Sequence, residues 1–246
     1  MFTELQMELD CDTLGIRQSS NLHGFIMETI RTEYAEYLHQ LKINPFSQCL
    51  IISKYKKVWY IRALSEEAYN EIILPLQRLN EFDLKHGKLH IKIKEKRIRT
   101  IENKELLEGF YQPGGTHYID LSFQTPTAFK SGGRYVFYPD LTLIYRSLMN
   151  KYSAIDSKMD MRDEETLDQL SQNSEIVRYR LRSAPFPLEG VNITGFQGDI
   201  RIRIKGTDTM SRFAKMLFSF GEFSGVGIKT SLGMGALNLH ERRENI

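Results

Sequence analysis

The chain predicts an α+β fold built from two tandem units side by side, each ordered β-α-β-β-α-β, the ferredoxin-like (RRM-like) plan. Three observations carry that prediction. Apolar residues recur at helical spacing over 22–38 and again over 213–220. Alternation over 89–94 and 198–204 marks half-buried strands, and the same element order occurs twice. The N-terminal unit is placed at 1–112 and the C-terminal unit at 113–246, with the junction at Pro113-Gly114-Gly115.

In the first unit, residues 2–10 read as a strand and 12–20 as a polar loop. Leu22, Phe25, Ile26, Ile30, Tyr34 and Leu38 keep one helical period, so a single helix is expected. Ser20 or Asn21 would cap it, and it must end by Asn44 because Pro45 follows. Two strand-like runs, 48–53 and 58–63, flank the basic turn Lys54-Tyr55-Lys56-Lys57. Ser65 can cap a second helix from Glu66 to about Asn80, whose acidic start suits the helix dipole and which Pro75 should kink or shorten. The strand 89–98 closes the unit.

The second unit repeats the scheme with longer connections. Residues 117–123 form a strand, and Asp140 caps a helix carrying Leu141, Ile144, Tyr145 and Leu148. The acidic stretch 153–174 shows no clear apolar period and reads as an irregular insertion with at most a short helix. Residues 176–181 and 198–204 alternate as strands. A helix from Thr207 or Asp208 to Phe220, stopped by Gly221, leads into a glycine-rich stretch and a final short strand at 236–239.

That glycine-rich stretch, GEFSGVGIKTSLGMGALNL over 221–239, holds two G-x-G pairs, Gly225/Gly227 and Gly233/Gly235, with Lys229, Thr230 and Ser231 between them. Helix, loop, strand is the reverse of the dinucleotide fingerprint, and the Gly-Lys-Ser/Thr ending of a P-loop is missing. Glycines so spaced let one backbone approach another, and their amides can meet phosphate oxygens. A flexible helix-to-strand connection fits them as well.

Composition narrows the class. With 246 residues, 41% hydrophobic and 26% charged, the chain is an ordinary globular protein. A net charge of +2 means that any nucleic-acid role rests on how charge is distributed. Cys11 and Cys49 give no disulfide framework, the N-terminus does not read as a secretory signal, and no stretch reaches a membrane span, so a cytoplasmic protein is expected.

The strands distribute the charge unevenly. His90, Lys92 and Lys94 alternate with Leu89, Ile91 and Ile93. Arg201, Arg203 and Lys205 oppose Ile200, Ile202 and Ile204, and Arg178, Arg180 and Arg182 do the same on the neighbouring strand. Each row reads by itself as a solvated outer face. Together they suit a phosphate backbone, with binding that weakens steeply in salt. Tyr179, Phe196 and Phe223 are candidates for base stacking or for packing. RNA or DNA is the leading partner class.

Chemistry has few candidates. HExxH, CxxC and Gly-x-Ser-x-Gly are absent, and Asp156, Asp160, Asp163, Glu164 and Glu165 read as a solvated acidic surface, so neither metal nor cofactor is expected. Of the histidines, His39 stands at the C-terminal end of the first helix, where orphan carbonyls and the dipole favour the charged ring, the form able to give up a proton. Lys42 follows three residues later and can meet developing phosphorane charge; a capping histidine is the plainer alternative. His23 reads as packing or capping, His90 as a candidate RNA contact, and His86, His117 and His240 as surface or turn residues.

The string LHGFIMETI…AEYLHQLKINPFSQCLI resembles the N-terminal signature of the CRISPR repeat-processing endoribonucleases of the RAMP superfamily. Residues 125–138, TPTAFKSGGRYVFY, resemble the segment opening their second domain, and GVGIKTSLGMGAL resembles their C-terminal glycine-rich loop. The resemblance implies two ferredoxin-like domains and metal-independent cleavage of a precursor transcript within each repeat, the ribose 2′-hydroxyl attacking the adjacent phosphate to leave a 2′,3′-cyclic phosphate and a 5′-hydroxyl. It implies His39 as general acid or base, Lys42 as charge stabiliser, and Gly225, Gly227, Lys229, Ser231, Gly233 and Gly235 as RNA contacts across the cleft. Residues 184–197 would be a flexible arm against the repeat. Where some relatives carry a tyrosine on the first helix, Met27 stands here, so the second proton-transfer partner is open; Tyr37 is near in sequence. Repeat RNA is the implied partner, with effector-complex subunits and a homodimer left open. Two other readings fit the same residues. A non-catalytic repeat-RNA-binding subunit would bind without cutting, and a phosphometabolite-binding protein would depend little on polymer length or salt.

Overall fold

A computed structural model describes residues 1–85, 88–111, 117–156, 160–188 and 190–240. His86 and the expected junction at 113–115 lie outside them. The first sheet uses β1 (Phe2–Asp10), β2 (Phe46–Ile52), β3 (Lys57–Ala63), β4 (Glu81–Leu84) and β5 (Leu89–Ile101), in the order β2-β3-β1-β5-β4, all neighbours antiparallel. The second uses β6 (Tyr118–Thr127), β9 (Ser174–Leu188), β10 (Val191–Ile204) and β11 (Leu237–His240), in the order β11-β6-β10-β9. In each, the unit's first and third strands lie at the centre and its second at an edge, as two ferredoxin-like domains require. A separate hairpin, β7 (Phe129–Ser131) with β8 (Arg134–Val136), stands beside the second sheet.

The expected first helix is two. Helix α1 (Ser19–Thr29) ends where Ile30 and Arg31 turn to extended backbone, and α2 (Thr32–Gln40) starts afresh. Leu22, Ile26, Ile30, Tyr34 and Leu38 all reach the same core, so the apolar period passes across the break without marking it. The exposed guanidinium of Arg31 pairs with Glu71 at the bend. Ser65 caps the next helical stretch, 66–77 (α3), accepting from the Ala68 amide at 3.1 Å. A π turn at Tyr69–Ile73 precedes Pro75, whose ring nitrogen cannot donate to the turn below. Helix α4 (Asn103–Tyr111) follows β5.

In the second domain Asp140 caps α5 (Leu141–Ile155) as expected, accepting from Leu143 N at 2.9 Å. The supposed irregular insertion contains α6 (Glu164–Gln172), capped by Asp163, with Leu167 and Leu170 buried. Its apolar face is only two leucines wide, too narrow to show as a period. Gly221 does not stop α7 (Asp208–Ser224). It stays helical and buried where a β-carbon would come within 2.7 Å of Leu237, so glycine is needed for packing there, and the helix ends at Gly225, with φ +62°. The described residues of 184–197 are no flexible arm: 184–188 belong to β9 and 191–197 to β10, paired along one long ladder, and Phe186 and Ile193 pack with Ala128 and Met234.

Candidate active site and nucleic-acid interface

The glycine-rich loop is the seam between the domains. Its backbone is held at both ends by close approach: a β-carbon on Gly235 would lie 2.0 Å from the Val226 carbonyl, and one on Gly227 2.3 Å from that of Ala128. The amides of Gly225, Gly227 and Gly235 donate to Gly221 O, Ser147 Oγ and Pro126 O. Those amides are spent inside the protein and cannot meet phosphate, so the expected glycine contact set narrows. The stretch 227–232 faces a cleft, with Lys229 at its tip in a left-handed conformation, φ +56°. A non-glycine residue held there is strained, a feature that gathers at binding sites.

From the tip the loop reaches the first domain. The Gln48 amide donates to Thr230 O at 3.0 Å, and Asn44 Nδ2 to Ser231 Oγ at 3.2 Å. His23 Nδ1 lies 3.0 Å from the carbonyl of Ser231. A carbonyl only accepts, so Nδ1 carries the proton and Nε2 keeps its lone pair. Burial holds His23 below its ordinary value; the Ser231 carbonyl opposes that shift and electrostatic repulsion from the His39 ring adds to it. His23 is therefore a neutral ring with a basic nitrogen, stacked beside Phe46. The cleft is about 610 Å³ and is lined by His23, Lys42, Lys130, Tyr135, Lys151 and Lys229, among others.

The structure brings Lys42, Lys229 and Ser231 together at this cleft. His39 sits in the last turn of α2, exposed, outside the lining residues but close enough to interact electrostatically with His23. Met27 packs against the first core, and Tyr37 borders a neighbouring depression that shares Lys42. His23 is the residue that the sequence hid. Nothing in its spacing shows that Ser231, 208 positions away, supplies its partner.

The basic strand rows are thinner than expected. Arg201 makes a two-pronged pair with Asp120 at 2.6 and 2.9 Å, while Arg203 and Lys205 share Glu175 at 3.6 and 2.6 Å. Arg178 and Arg180 are exposed beside Tyr179, itself 71% exposed. Phe196 and Phe223 are core residues, packed on Phe123 and Phe2 respectively. His90 pairs with Asp83, and both His117 nitrogens face acceptors, Ile204 O and Asp208. The acidic stretch is equally engaged: Asp160 with Arg162, Asp163 as a helix cap, Glu164 with Arg146. Among the described residues no three His, Cys, Asp or Glu side chains converge as a metal site, and no helix is long and apolar enough to cross a membrane.

Two ferredoxin-like domains joined across a lysine-lined cleft, with a neutral histidine in its wall, define a protein suited to a polyanion. The comparisons agree on one family. The sequence pattern of the CRISPR-associated endoribonuclease Cas6 matches residues 121–237. A CRISPR-associated endoribonuclease Cas6 from Streptococcus thermophilus is 36% identical over 244 residues, covering 99% of this chain and 98% of that one. One from Mycobacterium tuberculosis is 34% identical over 241 residues, covering 96% and 76%. Among solved structures, a Cas6 product complex superposes with a TM-score of 0.81 at 20% identity, covering 98% of this chain and 100% of that one. Thermus thermophilus Cas6 does so with 0.73 at 20%, covering 98% of each. The chain belongs to the Cas6 family.

Proposed function

We propose that this chain is an endoribonuclease that cuts a CRISPR repeat transcript in the cleft between its two domains, without a metal ion. The observation that carries the reading is one cleft lined by the neutral His23, by Lys42 and by Lys229 of a loop that both domains hold in place. In the proposed reaction His23 Nε2 takes the proton of the ribose 2′-hydroxyl, and the 2′-oxygen attacks the neighbouring phosphorus. The 5′-oxygen leaves with a proton from His39, giving a 2′,3′-cyclic phosphate and a 5′-hydroxyl. Lys42 and Lys229 meet the extra negative charge of the phosphorane. Lysines supply the charge and imidazoles move the protons, so the residues themselves cover what a metal ion would contribute. Arg178 and Arg180, with Tyr179 between them, give a remote stretch of RNA a place to lie. The cytoplasm, where thiols such as Cys11 and Cys49 stay reduced, is the compartment this reading assigns.

The test is cleavage of a labelled repeat RNA in excess chelator, with a 2′-deoxy control at the scissile position. One cut per repeat, ending in a cyclic phosphate, with an inert but bound deoxy substrate, is the expected result. A requirement for added divalent metal, or cutting of the deoxy substrate, contradicts the mechanism.

A further inference from the structure

The β7–β8 hairpin has no part in the chemistry above, yet it forms one wall of the same cleft. Gly132 and Gly133, at φ +55° and +77°, make its two-residue turn, which leaves Lys130 directly opposite Tyr135. Paired residues of an antiparallel ladder project from the same face. On one face Phe129 and Val136 meet the second core, and on the other Lys130 and Tyr135 line the cleft. The base of the hairpin is fixed to the glycine-rich loop, because Ile228 N donates to Ala128 O at 3.0 Å. Lys130 and Tyr135 therefore keep a set position relative to Lys229. Tyr135 is 50% exposed and Phe137 and Tyr138 beyond it are 48% and 59% exposed, an unusual run of open rings that packing does not account for.

We propose that this hairpin is a nucleotide subsite. Tyr135 stacks on an unpaired base next to the scissile phosphate, and Lys130 holds the phosphate of that same nucleotide. An aromatic face with a cation one strand away matches one nucleotide's base and phosphate. A tyrosine can stack only on a base released from a helix, so the RNA entering the cleft is single-stranded there, whatever its form elsewhere in the repeat. The subsite rests on the endonuclease reading, since it takes the cleft to hold the scissile nucleotide.

The experiment uses the full chain and a repeat RNA made uncleavable by a 2′-deoxy at the cut site, with 2-aminopurine placed in turn at each position flanking that phosphate. With native protein, fluorescence at one flanking position is quenched by stacking. Tyr135→Ala abolishes the quenching and weakens binding by about 5- to 100-fold, in line with the loss of one stacked base. Tyr135→Phe retains both, and Lys130→Ala weakens binding but leaves the quenching. Melting curves of the variants should match the native curve, because both side chains are open to solvent. Native quenching and affinity in Tyr135→Ala overturn the subsite, and if the native chain still cuts unmodified RNA, the endonuclease reading stands alone. A native chain that neither binds nor cuts the repeat overturns both.

Discussion

The ammonium of Lys151 lies 3.0 Å from the hydroxyl of Thr230, and it also donates to the carbonyls of Ser224 and Gly225 at 3.2 and 3.1 Å. One buried side chain thus ties the end of α7 to the tip of the glycine-rich loop. Burial pushes Lys151 down from its ordinary 10.5 to about 7. Between those values the unfolded chain holds a proton that the folded chain has released, so this group makes stability rise with pH from about 7 to 10.5. Lys151→Met should lose that rise. Thermal melts of the two proteins should diverge in favour of the native chain as pH climbs through this window, and parallel curves would contradict the assignment.

His23 should act as a neutral base. Its ring must be unprotonated to work, and burial keeps it so below the ordinary 6.5. The acidic limb of the single-turnover pH–rate profile should therefore fall below pH 6.5. His23→Ala should cut more slowly by roughly 10²- to 10⁴-fold while still binding the repeat.

The glycines of the loop divide by what surrounds them. Gly235→Ala puts a β-carbon 2.0 Å from the Val226 carbonyl at φ +71° and should cost on the order of 2–4 kcal/mol of stability. Gly24→Ala, in α1 with nothing within 4 Å, should be neutral or gain roughly 0.5–1 kcal/mol. Chemical denaturation of both variants checks the contrast.

Basic residues on the second sheet should separate by partner. Arg178→Ala should lower the slope of log affinity against log salt by about 1 and leave the melting temperature unchanged. Arg201→Ala breaks the Asp120 pair and should lower the melting temperature with little change in slope. Filter binding over a salt series, beside thermal melts, separates the two effects.

Much of this was legible in the chain. Alternation in 89–94 and 198–204 and the capping residues Ser65 and Asp140 marked elements of both domains, because these are local signals with local causes. The bend at Ile30 was not, since two helices that share one core keep a common apolar period. The Gly221 stop was misplaced because a glycine needed for close packing looks the same in sequence as one needed for a turn. Lys42, Lys229 and Ser231, named from the sequence, line the cleft, whereas Lys151 and His23, which line it too, were not named for it. Their roles come from contacts 79 and 208 positions apart, which no periodicity encodes. Arg201, Arg203 and Lys205 were read as open to phosphate because Asp120 and Glu175, which neutralise them, arrive on other strands.

The central claim is that His39 and His23 share the proton transfers of metal-independent cleavage. The most direct measurement is single-turnover cleavage of repeat RNA in chelator by the native chain, His39→Ala, His23→Ala and the double variant. The account predicts that either single loss reduces cleavage by at least about 10²-fold with binding retained, and that the double variant is little worse than the poorer single one. Native cleavage by His39→Ala would contradict it.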